Sequence, residues 1–60
     1  MNEEPAEVTL YKEMQALLSR MRESRPTERT ETARRWAVSI TEFEKATAYF
    51  YAYVVEGVVE

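Results

Sequence analysis

The chain has 60 residues and a net charge of −3, and it contains neither cysteine nor histidine. Sixty residues make one domain at most, and the missing cysteines exclude a disulfide framework and a thiolate metal site. Without histidine or cysteine, the usual pairing of a nucleophile with its base is absent, so we expect no enzyme and no cofactor. No apolar run reaches the roughly 18 residues of a membrane span, and we expect no membrane partner.

Helix-forming residues dominate the composition, which includes one glycine and two prolines. This composition predicts an all-α fold. Two amphipathic stretches flank a proline-containing break, so we expect residues 1–60 to form one antiparallel two-helix hairpin with a longer second helix. A hairpin this small buries little apolar surface, and we therefore expect it to assemble into a homo-oligomeric helical bundle.

The first helix is predicted over about residues 6–23. Its apolar seam follows the spacing of one helix face and consists of Leu10, Met14, Leu17 and Met21, with Tyr11 and Leu18 beside it. Pro5 suits the first position of a helix, because its missing backbone donor would be unpaired there in any case. The acidic residues ahead of Pro5 predict a loose, solvated start.

The break is predicted as a turn over residues 24–26, because Pro26 disfavours helical structure in the residue before it. The second helix is predicted over about residues 27–56. Hydroxyl groups of Thr27 and Thr30 are available to its first unpaired amides. So short a turn makes the two helices antiparallel neighbours.

The second helix is expected to end at Gly57, followed by a short tail. Its seam consists of Ala33, Trp36, Ile40, Phe43, Thr47, Phe50 and Val54. The shorter first helix, doubling back from the turn, is expected to cover the second helix only as far as Glu44. Beyond Glu44 apolar residues occupy every face, which is typical of a buried helix, so we expect copies of the chain to cover this end.

All six arginines lie within residues 20–35, where three glutamates oppose them. A guanidinium group binds phosphate in two-pronged fashion, and the start of the second helix adds unpaired amides and a positive dipole end. This pattern predicts an anion site at the turn. The alternative is a set of ordinary surface ion pairs with Glu23, Glu28 and Glu31.

The four tyrosines allow a second location for a pocket. Tyr49, Tyr51 and Tyr53 are expected in the core of an interface between chains. Tyr11 lies near the start of the first helix, far from its own turn, and either stacks on a ligand base or packs beside the seam. The pocket could therefore lie at the turn or between the tyrosine-rich helix ends.

One pattern resembles a known family. It consists of Arg35-Trp36, Thr41, Phe43-Glu44 and Ala46, with Arg25-Pro26 ahead of it. In these residues the chain resembles the helical-hairpin domain of phage-encoded sponges that counter CBASS immunity by sequestering cyclic oligonucleotides. The same hairpin occurs in a Thoeris anti-defence sponge that traps cyclic ADP-ribose isomers. The resemblance covers about residues 20–55.

The resemblance implies a phage anti-defence protein that binds a cyclic nucleotide second messenger, a cyclic di- or trinucleotide, without cleaving it. It implies a homo-oligomer, a hexamer in the family's cyclic-dinucleotide sponges, with pockets between protomers. The expected location is the cytoplasm of an infected bacterial host. The ligand-binding residues that it implies are Tyr11, Arg25, Thr27, Arg29 and Arg35.

Two other functions fit the same residues. The chain could sequester a cyclic ADP-ribose-type signal, since both ligand classes offer phosphate, ribose and purine. It could instead be a helical module that binds a protein partner through its tyrosine-rich end. The acidic net charge and the lack of a recognition motif argue against a nucleic-acid polymer as partner.

Overall fold

The computed structural model describes residues 3–57 and confirms a helical hairpin without strands over that range. Helix α1 spans Ala6–Ser24, helix α2 spans Glu31–Phe50, and a π-helical turn, Tyr51–Val55, continues α2. None of the helices within this range has the length and apolar content that crossing a bilayer requires. The first two residues of the expected loose start and the expected tail, residues 58–60, lie outside the described residues.

Helix α1 has nearly the predicted bounds, and local chemistry accounts for both ends. The carbonyl of Pro5 accepts the backbone amides of Val8 and Thr9 at 3.0 and 3.2 Å. At the other end the backbone of Arg25 is extended, with φ −59° and ψ 129°. Proline at the next position excludes the helical conformation there, so α1 ends at Ser24.

Helix α2 begins at Glu31, four residues later than predicted. The side chain of Thr30 accepts the backbone N–H of Ala33 at 3.1 Å, and the Thr30 backbone is extended as an N-cap requires. Glu31 in the first turn complements the helix dipole. The connection therefore spans residues 25–30 instead of a turn over 24–26, and Pro26 lies inside it.

Replacing the capping threonine should weaken the helix measurably. We expect Thr30→Ala to lower the free energy of unfolding by about 1 kcal/mol, because the Ala33 amide loses its acceptor. The same substitution at Thr27, which makes no capping bond, is the matched control. Urea unfolding followed by circular dichroism measures both, and equal losses would assign the cap elsewhere.

The connection changes the register of the two helices. The guanidinium Nη2 of Arg22 lies 3.0 Å from Oε2 of Glu44, and the ring centroids of Tyr11 and Tyr51 are 4.7 Å apart. Helix α1 therefore runs beside α2 as far as Tyr51, so the expectation that it stops at Glu44 was wrong. The reason is that the six connecting residues lie along the first turns of α2, which shifts the end of α1 toward the middle of α2.

The core is a narrow line between the two helices. Its buried residues are Leu18 at 4% exposure, Ala33, Ile40 and Thr47, whose hydroxyl donates to the Phe43 carbonyl at 2.8 Å. Ala33, Ile40 and Thr47, which are spaced seven residues apart, thus confirm the predicted seam of α2 at these positions. In α1, Leu18 points inward while Leu17, predicted in the seam, is 46% exposed. The apolar face of α1 is wider than its contact with one helix, so part of it remains uncovered.

The π-helical turn was not predicted, and it rotates the end of the seam. The backbone N–H of Glu56 bonds the Tyr51 carbonyl at 2.8 Å, five residues back. One extra residue per turn displaces the following side chains from the α-helical register. Val54 is consequently 47% exposed, although α-helical spacing places it in the seam. Gly57, with a φ of 71°, ends the helix as predicted.

Candidate anion-binding site

The connection and the first turns of α2 border an open concavity of about 700 Å³, which we call the arginine concavity. Its polar lining consists of Arg22, Arg25, Thr27, Glu28, Arg29, Thr30 and Arg34. The connection approaches α2 here because its extended residues run alongside the small side chains of Ala33 and Ala37, which form the apolar floor. Four arginines against one glutamate give the lining a positive charge.

The four arginines of the concavity differ in their partners. Arg34 binds Glu31 through two nitrogens, with Nη2 and Nε each 2.7 Å from Oε2, and Arg22 pairs with Glu44. Among residues 3–57, no ion pair involves Arg25 or Arg29. The alternative of ordinary surface pairs therefore holds for Arg34 with Glu31, but not for the two arginines of the connection.

The ion pairs that do form leave their arginines available to a ligand. The side chains of Arg22 and Arg34 are 51% and 68% exposed. Exposed pairs of this kind contribute at most about 1 kcal/mol. A phosphate group, with more acceptor oxygens than one carboxylate, could therefore compete for either guanidinium.

Of the five predicted ligand-binding residues, the structure brings three together. Arg25, Thr27 and Arg29 line the arginine concavity. Arg35 does not line it; its exposed side chain points to Glu31, with Nε 3.9 Å from Oε2. Tyr11 lies eleven residues before Arg22 on α1, a distance of roughly 17 Å. Ligand binding by all five residues stays a prediction, and Tyr11 cannot reach the concavity of its own chain.

The tyrosine-rich end, the other pocket location, is occupied by its own rings. Tyr11 contacts Tyr51 and accepts a hydrogen bond from Gln15 at 2.8 Å, while Tyr49 and Tyr53 have ring centroids 4.4 Å apart. The Tyr51 hydroxyl donates a hydrogen bond to the Glu56 carboxylate. This bond raises the pKa of the Tyr51 phenol above its ordinary value. Nearby Lys12 is engaged by Glu4. Within residues 3–57, the basic side chains in no ion pair are Arg25 and Arg29 of the connection and Arg20 of α1.

The five residues predicted to bind ligand did not include Arg22, Thr30 and Arg34, although both arginines belong to the arginine-rich segment, residues 20–35. Arg22 lies one helical turn before Arg25, and Arg34 lies one turn after the Thr30 cap. Helical spacing could have placed each beside the connection, but only with the correct start of α2. Because α2 was predicted to start at Thr27, the predicted position of Arg34 was rotated about the helix and shifted along it, relative to the turn.

The arrangement is suited to holding an anion. Guanidinium groups donate charge-assisted hydrogen bonds to the oxygens of such a group. Within residues 3–57, no three carboxylates lie close enough together to hold a metal ion. The positive end of the α2 dipole lies at the same end of the hairpin and favours an anion there.

Comparison of the chain with models of known protein families, with curated proteins and with solved structures gives no match.

Proposed function

We propose that this chain is a non-catalytic binding protein that sequesters a cyclic nucleotide signal in its arginine concavity. The observation that supports this most is the pair of arginines without an ion-pair partner, Arg25 and Arg29, beside Thr27 in the connection. Two guanidinium groups and a hydroxyl are donors suited to a phosphodiester. A volume of about 700 Å³ lies within the range of small-molecule sites.

The biological role that we propose follows the resemblance to phage anti-defence sponges. Such a protein lowers the free concentration of an immune messenger in the cytoplasm of the infected bacterium, and the host effector stays inactive. It needs affinity and abundance, and it needs no turnover. We propose a homo-oligomer as the working state; the hexamer rests on the resemblance alone.

Thermal unfolding with a ligand panel tests this proposal. The panel contains cyclic dinucleotides, cyclic trinucleotides and cyclic ADP-ribose isomers. A ligand at 100 times its dissociation constant adds about 2.7 kcal/mol, which raises the melting temperature of so small a fold by on the order of 10 °C. The class that shifts the transition names the ligand. No shift with any member, in a folded sample, contradicts the proposal.

Recovery of the ligand separates binding from catalysis. After incubation and heat denaturation, chromatography should return the bound nucleotide unchanged and in full amount. A linear or hydrolysed product that accumulates with time would contradict a sponge and indicate an enzyme.

A second candidate function is a helical module that binds a protein partner. It is favoured by exposed aromatic and apolar side chains at the tyrosine-rich end, including Tyr49, Tyr51 and Val54. This module would be folded and would form a stable complex with a host protein, and no member of the nucleotide panel would change its melting temperature.

A further inference from the structure

The hairpin has one broad face that no part of residues 3–57 covers, which we call the apolar face. Its α1 residues follow a helical spacing, as do its α2 residues, and Val54 of the π-helical turn adjoins them. The set is Leu10, Met14, Leu17, Met21, Trp36, Phe43, Phe50 and Val54. Leu17, Met21 and Trp36 line one shallow concavity, and Met14, Phe50 and Val54 line another. The two helices therefore present these residues on the same side of the hairpin.

The opposite face is polar. It carries the Arg22–Glu44 ion pair and the hydrogen bond between Gln15 and Tyr11. The arginine concavity, which Arg22 lines as well, opens on this side. The hairpin is therefore an amphipathic layer, and its Cα atoms span only 9 Å in the thin direction.

The chain exposes more surface than a compact chain of its mass, and the excess is close to the area that one partner buries in a dimer. The chain exposes 5001 Å², and a compact chain of its 7.1 kDa would expose about 4,100 Å². The excess of about 900 Å² is close to the roughly 800 Å² that each partner buries in a standard interface. One more layer of the same kind would cover the apolar face.

Charge decides how two such layers can be oriented. Residues 20–35, at the tip of the hairpin, carry six arginines and three glutamates, while the rest of the chain has an excess of six negative charges. With the tips at the same end, two positive tips would repel each other. With the tips at opposite ends, each positive tip lies over the acidic end of the second copy.

We propose that two copies of this chain pack apolar face on apolar face, with their tips at opposite ends. A two-fold axis across the helices then sets α1 on α1 and α2 on α2, each pair antiparallel. Leu17, near the middle of the face, lies opposite Leu17 of the second copy. Arg20, on the edge of the face, approaches Glu13 of the second copy.

This pairing leaves both arginine concavities on the outer surfaces, at opposite ends of the dimer. Each chain then offers one complete set of concavity arginines, and the dimer carries two independent anion sites. The pairing depends on the apolar face and on the charge distribution of the chain, so it stands whether or not the concavity binds a nucleotide.

Dilution of the full chain tests the pairing. Fluorescence of Trp36, the single tryptophan, and sedimentation velocity should report a concentration-dependent dimer. Leu17→Glu places a charge in the apolar contact and should weaken dimerisation on the order of 100-fold. Val38→Glu is the matched control, because Val38 is similarly exposed, at 48%, and lies outside the apolar face. A monomer at high concentration, or equal weakening by both variants, overturns the proposal.

A disulfide reports the orientation and does not depend on the charged variant folding. The chain has no cysteine, so Leu17→Cys introduces one thiol per chain. With the tips at opposite ends this thiol meets its own copy, and oxidation should give a covalent dimer; Ser24→Cys, near the tip, should not. A larger assembly that still forms the Leu17→Cys disulfide contains the same pair. Failure of Leu17→Cys to cross-link overturns the orientation, since the other arrangement sets Leu17 against α2.

Discussion

Replacing Leu18 with alanine is expected to remove the cooperative unfolding transition of this protein. Leu18 is 4% exposed, and it is the one buried residue of α1. Truncation of a buried leucine costs about 2–5 kcal/mol, which is a large part of the stability of any small domain. Far-ultraviolet circular dichroism during heating and during urea titration measures the effect.

Leu17→Ala is the control for this prediction, because the same substitution is made one residue earlier in the same helix. Leu17 lies on the apolar face, so its truncation should act on dimerisation and hardly at all on the isolated hairpin. The Leu18→Ala loss should therefore appear at every protein concentration, and the Leu17→Ala loss only where the dimer is populated. Equal losses at low concentration would mean that α1 faces α2 with a different residue.

Combining Arg25→Ala with Arg29→Ala is expected to abolish nucleotide binding while the helices remain intact. Each guanidinium that bonds a phosphate contributes about 1.5–3 kcal/mol, so the double variant should bind at least ~100-fold more weakly. Both residues lie in the connection outside α1 and α2, so the helical dichroism should not change. Titration calorimetry with the nucleotide that stabilises the wild type measures the affinity.

Arg20→Ala is the matched control for charge. It removes an arginine from the same arginine-rich segment, but Arg20 lies on α1 outside the arginine concavity. It should leave the affinity within a few-fold of wild type, since only long-range attraction is lost. A loss equal to that of the double variant would mean that general positive charge, and not the concavity, holds the ligand.

Arg35→Ala distinguishes a ligand site supplied by a single chain from a site shared between protomers. The resemblance implies that Arg35 binds ligand, whereas its side chain in this hairpin points to Glu31 outside the concavity. If a single chain supplies the site, this variant should bind normally. A strong loss would mean that another protomer brings its Arg35 to the ligand.

Local rules of the sequence were sufficient for the helical elements and for part of the site. Pro26 predicts the end of α1 because proline constrains the residue before it, and Gly57 predicts the end of the second helix because it tolerates a positive φ. Heptad spacing of Ala33, Ile40 and Thr47 predicts the buried line of α2. The three connection residues of the site lie close in sequence, so they are close in any compact turn.

The sequence by itself therefore determined two amphipathic helices, their approximate bounds and a cluster of arginines at the tip. The tertiary structure decided that α1 reaches Tyr51, that Leu18 and not Leu17 enters the core, and that the π-helical turn moves Val54 outward. Helix formation depends on neighbours within one or two turns, which a sequence displays directly. The register of α1 against α2, and which side chains face the core, depend on how the six connecting residues fold against α2. One extra residue in a helical turn displaces every side chain after it.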